Sequence, residues 1–153
     1  TGNIAVTIES VNDKPIALDY SFQAVENIQS SIDLSTLVSD LDDDTFSFSL
    51  ETQPTGGSAY ISGDMLYYTS QGDNPSSDTL VYKVTDSNGG FDSGTVDIAV
   101  DAINDPPIFS ESFDDFYLIE DQDFSLTQSY LRSLISDPEG DFINVLNIHG
   151  RCL

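Results

Sequence analysis

An internal repeat with a period near 92 residues constrains the fold of this chain more than any other feature. The segment GNIAVTIESVNDKPI, from Gly2, matches GTVDIAVDAINDPPI, from Gly94, in its glycine, its alternating apolar positions, its Asn-Asp pair and its proline. Two shorter segments recur at offsets of 97 and 94 residues: SDLDDD at 39–44 with SDPEGD at 136–141, and VEN at 25–27 with IED at 119–121. Small differences between offsets are expected where loops of unequal length join equivalent strands.

The length of the repeat indicates a string of small domains. Solenoid repeats span about 20–50 residues, whereas a β-sandwich domain needs about 100. We therefore predict three pieces: residues 1–12 as the last strand of a preceding repeat, 13–105 as one complete repeat, and 106–153 as the truncated N-terminal half of the next.

Apolar and polar residues alternate along the complete repeat, as half-buried antiparallel strands require. The alternation is clearest at 46–50, 80–85 and 96–100, and shorter strands are expected near 17–23, 30–34, 58–61 and 65–69. Turn residues separate these runs, and 35–38 is expected to form one helical turn. The predicted fold class is all-β, a seven-strand Greek-key β-sandwich. Its predicted core is Ile32, Leu34, Phe46, Phe48, Leu50, Ile61, Leu80, Tyr82, Val84, Val96, Ile98 and Val100.

The charge of the chain excludes several classes of partner. Four basic residues against 27 acidic ones give a net charge of −23. Nucleic acid and anionic membrane surfaces both require a basic protein surface, so neither is an expected partner. No apolar run approaches the ~18 residues of a membrane-spanning helix, so membrane insertion is not expected. The acids form either a solubilising surface that salt screens or clusters that hold cations, and their clustering in loops favours the second interpretation.

A seven-strand topology brings these loops to the two ends of the complete repeat. The entering linker, the loop after the second strand and the turn of the last hairpin are expected to meet at one end. The first turn and the exiting linker are expected to meet at the other, where the next repeat presents its own acids. Ca²⁺ takes six to eight oxygen ligands, so Ca²⁺ is the predicted cofactor. The predicted ligands are Asn12, Asp13, Glu26, Asp40, Asp42, Asp44, Asp86, Asn104, Asp105, Asp137, Glu139 and Asp141.

The segments VNDKP, VEN, SDLDDD, VYKVTDSNGG and INDPP, in this order, resemble the cadherin-like repeats of large RTX-type bacterial surface adhesins, with VCBS-type repeats as near relatives. The resemblance covers nearly the whole chain. It implies a cadherin-like or Ig-like sandwich that is calcium-binding and extracellular. In that family, Ca²⁺ at the linkers stiffens an array that extends an adhesive tip from the bacterial cell surface. The implied partners are neighbouring repeats and a surface glycan or protein at the tip.

The resemblance also carries residue roles onto matching positions. Asp40 and Asp42 match the paired acids of the family, Asp86 matches the acid that closes the penultimate strand, and Glu26 matches the first-turn glutamate. Asn104-Asp105 matches the linker pair. The animal cadherin linker DxNDN is not fully kept, because Ala102 and Pro106 stand at its first and last positions.

Other functions have less support from the residues. Asp40, Asp42 and Asp44 have the spacing of an EF-hand loop, but Thr45 stands where that loop needs glycine, and the flanks alternate as strands. His149 is the only histidine and no catalytic motif is present, so an enzyme is not expected.

A Ca²⁺-dependent carbohydrate- or peptide-binding module remains open. Its candidate aromatic platforms are Tyr60, Tyr67 and Tyr68, and one ring of the adjacent pair is expected to be exposed.

Overall fold

A computed structural model of the chain describes residues 2–9, 11–42, 45–72, 76–109, 121, 123–146 and 148–151. Contacts between Cα atoms divide the chain into two compact units, Thr1–Asp101 and Ala102–Leu153. None of the described helices is long and apolar enough to cross a membrane.

The first unit is a β-sandwich of two sheets. The strands are β1 (Ile16–Ala17), β2 (Tyr20–Val25), β3 (Ser30–Asp33), β4 (Val38–Ser39), β5 (Ser47–Thr52), β6 (Gly57–Ser62), β7 (Met65–Ser70), β8 (Ser77–Thr85) and β9 (Phe91–Asp101). The four-stranded sheet has the order β2-β9-β8-β5, the three-stranded sheet has the order β3-β7-β6, and a short pair joins β1 to β4. Strand β2 runs parallel to β9, whereas the other pairs are antiparallel. The predicted all-β sandwich is confirmed.

The core lies between the two sheets and follows the period of two. In β8 and β9, alternate residues are buried and their neighbours face outward. The expected helical turn is a 3-10 helix at Leu34–Leu37. The core cluster is Ala24, Leu34, Leu37, Leu66, Tyr68, Leu80, Tyr82, Val96, Ile98 and Val100. Val84 is also fully buried. Ile32, Phe48, Leu50 and Ile61 are only partly buried, and Phe46 precedes β5 instead of belonging to it.

Tyr82 joins the core to the short connection between β1 and β2. Its hydroxyl donates to the carbonyl oxygen of Leu18, 2.8 Å away, while its ring lies against Gly94 of β9. A Cβ at Gly94 would lie 2.6 Å from Tyr82 Cε1 and 2.8 Å from the Leu18 oxygen. This close approach requires a glycine, because any side chain would push the ring or the backbone away.

Asp78 is a buried carboxylate that the sequence analysis did not select. It lies on the inward face of β8, one alternation before Leu80. Its oxygens accept hydrogen bonds from the backbone N–H groups of Thr55 (3.0 Å), Gly56 (3.1 Å) and Thr79 (2.9 Å), and from the Tyr68 hydroxyl (3.1 Å). Burial of the ring and then the bond to Asp78 raise the pKa of Tyr68 well above its ordinary value. Because Tyr68 belongs to the other sheet, Asp78 ties the two sheets together.

Two segments differ from the predicted strands. The run at 17–23 is not one strand, because the chain crosses at Leu18-Asp19 from a pair with β4 to a pair with β9. Residues 2–9 lie in no strand despite their alternation, because no neighbouring strand in the described chain supplies their hydrogen bonds. Their apolar side chains are therefore exposed, including Ile4 (91%) and Ile8 (89%).

The second unit contains short elements. They are β10 (Ile108–Phe109), β11 (Asp123–Leu126), α1 (Gln128–Ser133), β12 (Ile135–Ser136) and β13 (Ile148–Arg151). Strand β10 pairs with β12, and β11 pairs with β13, both antiparallel.

Contacts at the start of the first unit recur in the second. Ile16 pairs with Ser39 in one, and Ile108 pairs with Ser136 in the other. The intervening LSTLVSD (34–40) and LRSLISD (131–137) share two leucines and an Ile/Val-Ser-Asp end, and Leu34 and Leu131 are both buried. The non-glycine residues with positive φ among those described are the equivalent Asn27 (56°) and Asp121 (63°). The sequence match is therefore accompanied by matching local structure, while the division into repeats stays a prediction.

Candidate metal-binding pole

Several predicted ligands meet at the end of the first unit where the chain enters it. We call this end the entry pole and define it by Asn12, Asp13, Asp40, Asp42, Asp86 and Asn88. Asn12 Nδ2 donates to Asp86 Oδ2 at 3.0 Å, and Asn88 Nδ2 donates to Asn12 Oδ1 at 2.6 Å. The turn between β8 and β9 therefore holds the entering segment in place.

The loop before β5 holds the next residue of the entering segment. The backbone N–H of Asp13 donates to Asp42 Oδ2 at 2.7 Å, and the N–H of Asp42 donates to Asp40 Oδ1 at 2.7 Å. The other Asp40 oxygen, Oδ2, is buried and accepts no hydrogen bond within the part of the chain that the structure describes. Asp44, also a predicted ligand, lies outside the described residues.

The tight turn after β8 fixes the carboxylate of Asp86. Its Oδ1 accepts hydrogen bonds from the N–H groups of Asn88 (2.8 Å) and Gly90 (2.7 Å), and the side chain is buried. A Cβ at Gly90 would collide with Asp86 Oδ2 and approach Asn12 Nδ2 to 3.2 Å. Gly90 therefore leaves room for the contact between the turn and the entering segment.

Asp92 lies beside the entry pole and was missed by the sequence analysis. Its carboxylate accepts hydrogen bonds from the Ala17 N–H (3.0 Å) and from Lys14 Nζ (3.0 Å). These two bonds, that of Ala17 first, lower the pKa of Asp92. The signal was available, because Asp92 follows the hairpin turn and Lys14 is one of only four basic residues.

Glu26 lies at the other end of the first unit. Its N–H donates to the carbonyl oxygen of Asp101 at 2.9 Å, which is the last residue of β9. Since β9 begins next to the Asp86 turn and runs for 11 residues, about 30 Å separate the two ends. Glu26 is fully buried, which is unusual for a glutamate.

In the second unit, one contact between the linker and the loop acids repeats that of the first. The N–H of Asp105 donates to Glu139 Oε2 at 3.1 Å, as Asp13 donates to Asp42. Glu139 Oε1 is buried and accepts no hydrogen bond from the described residues. Asp137 Oδ1 accepts from the Asp141 N–H (2.9 Å), and the Asn104 amide donates to the Asp105 carbonyl oxygen (3.2 Å).

The donor set of these sites fits a hard cation. It contains carboxylate and amide oxygens and no thiol or imidazole among the described predicted ligands, which suits Ca²⁺ or Mg²⁺ rather than zinc. A buried carboxylate oxygen without a hydrogen bond, as at Asp40, is costly unless a cation or water satisfies it. Metal binding itself stays a prediction.

Asn12→Ala is expected to raise the pKa of Asp86. The hydrogen bond from Asn12 is the largest cause that lowers this pKa, and the N–H groups of the turn add to it, while burial acts in the opposite sense. A lowered pKa stabilises the folded state above the unfolded value of about 3.9, and this stability is lost as pH falls through the folded value. In Asn12→Ala this contribution to stability should therefore be smaller, and its loss should be complete at a higher pH, because the folded-state pKa lies closer to the unfolded value.

Carboxyl ¹³C shifts recorded in calcium-free buffer from about pH 2 to pH 6 would measure both acids. Asp92 is the internal control, because Ala17 and Lys14 hold its carboxylate and Asn12 does not. An unchanged Asp86 titration, or an equal change at Asp92, would contradict the assignment.

The two sheets and their order define the first unit as an immunoglobulin-like β-sandwich. A family described as bacterial Ig domain matches residues 12–99. The chain belongs to this family.

Solved structures with a similar fold include an endo-fucoidan hydrolase from glycoside hydrolase family 107, with a TM-score of 0.50 and 14% identity over 84% of this chain. A variant of that hydrolase gives 15% identity, the same TM-score and the same coverage. A chimeric titin Z1Z2 carrying a KLER peptide from decorin gives a TM-score of 0.36 and 14% identity, covering 76% of this chain and 62% of the titin chain. This chain spans about a fifth (20%) of the hydrolase, and the likeness concerns the fold alone. No curated protein matches the chain significantly.

Proposed function

We propose that the chain is a calcium-binding extender segment of a bacterial cell-surface adhesin and not an enzyme. In this proposal, Ig-like repeats follow one another along the polypeptide, and Ca²⁺ at the acidic linkers holds them in line. The location is extracellular, and the partners are neighbouring repeats and, at the tip, a surface glycan or protein.

The observation that carries the proposal is the clamp on the linker, which occurs twice. In each unit the amide of the linker aspartate, Asp13 or Asp105, donates to a carboxylate of the loop that follows. Each loop also holds a buried carboxylate oxygen without a described hydrogen bond. A clamp of this kind fixes where the chain enters a unit, which is what a stiff array needs.

The net charge of −23 supports the same proposal. Carboxylates gathered at a linker repel one another, so the linker would be flexible and the pole destabilised without cations. Calcium sites of extracellular modules bind with dissociation constants of about 10⁻⁴–10⁻³ M. Such sites are filled outside a cell and empty in the cytoplasm, so an array of this kind would stiffen after secretion.

Calcium titration by calorimetry tests the proposal. We expect binding in the range of about 10⁻⁴–10⁻³ M, weakened by about tenfold or more in Asp40→Ala/Asp42→Ala. The control pair Asp64→Ala/Asp97→Ala removes the same charge from exposed acids outside the entry pole. If Ca²⁺ binding is weakened equally in both double variants, or if Mg²⁺ binds as tightly as Ca²⁺, the calcium function is contradicted. The acids would then form only a surface that salt screens.

A second candidate is a Ca²⁺-dependent carbohydrate- or peptide-binding module. The observation in its favour is a pair of stacked rings, Tyr60 and Tyr67, on the outer face of the three-stranded sheet, with centroids 4.9 Å apart. Tyr60 is 51% exposed, whereas Tyr68 is buried in the core. Each ring covers one face of the other, so less aromatic surface remains for a sugar, and the extender remains the better supported function.

A further inference from the structure

Residues 2–9 form an apolar stripe without a partner strand. Ile4, Val6 and Ile8 alternate with polar or small residues, and their exposed fractions are 91%, 78% and 89%. A segment that exposes alternating apolar side chains in this way is a candidate interaction surface, because soluble proteins rarely leave such a pattern uncovered.

The sequence match shows where such a strand fits. Ile4, Val6 and Ile8 stand 92 residues before Val96, Ile98 and Val100 of β9. In the first unit, these three β9 residues are 0%, 1% and 7% exposed. They are buried because β9 lies inside its sheet, parallel to β2 on one side and antiparallel to β8 on the other. The same pattern is therefore a core strand in one place and an uncovered segment in the other.

Gly2 adds a more specific constraint on the partner. It aligns with Gly94, where a Cβ would lie 2.6 Å from the ring of Tyr82. Nothing lies within 4 Å of the corresponding position at Gly2. A glycine at this position allows an aromatic ring of a neighbouring strand to pack against the backbone, as Tyr82 does at Gly94.

The segment that follows is fixed to the entry pole. Asn12 contacts Asp86 and Asn88, and the Asp13 amide contacts Asp42. Residues 2–9 are thus joined to the entry pole by Asn12 and Asp13, which are both held by hydrogen bonds. This suits a partner that directly precedes the first unit along the chain.

We infer that residues 2–9 are the last strand of another Ig-like sandwich, one that precedes residue 2 in the same polypeptide. In that sandwich, Ile4, Val6 and Ile8 take the core positions of Val96, Ile98 and Val100, and Gly2 lies against an inward-facing aromatic residue of the penultimate strand. The inference rests on the proposed function, since it requires Ig-like units in tandem.

A fusion of residues 11–93 to the front of residues 2–153 tests the inference. The upstream copy then lacks its own β9 from Gly94 onward, and residues 2–9 follow Ser93 in its place. We expect amide hydrogen exchange at residues 4–8 to slow by about a hundredfold or more relative to the unfused chain, together with protection of the upstream copy. Gly2→Val and Ile4→Ser/Val6→Ser/Ile8→Ser should each abolish both effects.

A second fusion keeps β9, with residues 11–101 in front of residues 2–153. Its upstream copy keeps its own β9 and folds without residues 2–9, so the amides of residues 4–8 should exchange as in the unfused chain, and Gly2→Val should have no effect.

The inference would be overturned if the amides of residues 4–8 exchanged fast in the first fusion while the upstream copy of the second fusion was folded. Slow amide exchange at residues 4–8 in the unfused chain would also overturn the inference. If that protection did not depend on protein concentration, the segment would pair within its own chain. If it did, the segment would pair with a second copy. Measurements in EDTA and in Ca²⁺ separate this result from a failure of the calcium proposal, because core packing does not need the ion.

Discussion

Asp78→Ala is expected to destabilise the first unit by about 3 kcal/mol, because it removes the shared acceptor of four hydrogen bonds, among them the buried bond from the Tyr68 hydroxyl. The carboxylate accepts from three backbone N–H groups and from the Tyr68 hydroxyl, and Asp78 itself is only 9% exposed. Alanine removes all four bonds and leaves the buried Tyr68 hydroxyl without this acceptor. For a domain of this size, 3 kcal/mol corresponds to a fall in melting temperature of about 12–24 °C.

Urea-induced unfolding followed by circular dichroism measures this loss. Tyr68→Phe removes one of the four hydrogen bonds and should cost about 1 kcal/mol. Asp97→Ala is the matched control, because Asp97 lies on the exposed face of the sheet and should change stability by no more than about 0.5 kcal/mol. A loss in Asp78→Ala no larger than in Asp97→Ala would show that the buried network does not hold the sheets together.

The fold could be predicted from the sequence where alternation was strong. In β8 and β9, apolar residues at every second position are buried as expected, and the 3-10 helix lies at the expected place. The break at Leu18-Asp19 could not be predicted, because the run from Ala17 alternates without a glycine or proline. At the break, Leu18 makes contacts with distant parts of the chain, among them the bond from the Tyr82 hydroxyl to the Leu18 carbonyl oxygen.

Asp78 shows a second limit of what could be predicted from the sequence. The alternation of β8 places it on the same face as Leu80, so its inward position was readable from the sequence. Its role was not, because Thr55, Gly56 and Tyr68 belong to two other segments that only the fold brings to Asp78. A single charged residue at a core position of a strand is therefore a signal for a buried hydrogen-bond network.

The grouping of the entry pole follows from topology, and its details follow from local geometry. The order of the strands predicted that the linker, the loop after Ser39 and the hairpin turn would share one end of the unit, and the structure places them together. Asp92 was missed although its place after the hairpin turn was readable, and its bond to the Ala17 amide is a detail that only the fold shows. Whether these groups bind Ca²⁺ stays a prediction.

Calcium is expected to raise the melting temperature of the chain by about 10 °C or more. With a dissociation constant of about 10⁻⁴ M and about 10 mM Ca²⁺, one site that exists only in the folded state adds about 2.7 kcal/mol by mass action. A domain of about 100 residues converts that energy into a rise of about 10–20 °C. The acidic composition adds to the effect, because Ca²⁺ also relieves repulsion among the clustered carboxylates.

A thermal melt in EDTA and again in Ca²⁺, with Mg²⁺ and NaCl at matched ionic strength, tests the central claim most directly. The calcium clamp predicts a rise of about 10 °C or more in Ca²⁺ alone, which is lost in Asp40→Ala/Asp42→Ala and kept in the control pair Asp64→Ala/Asp97→Ala. An equal rise in Mg²⁺ or NaCl, or a rise that survives in Asp40→Ala/Asp42→Ala, would contradict it and leave the carboxylates as a salt-screened surface.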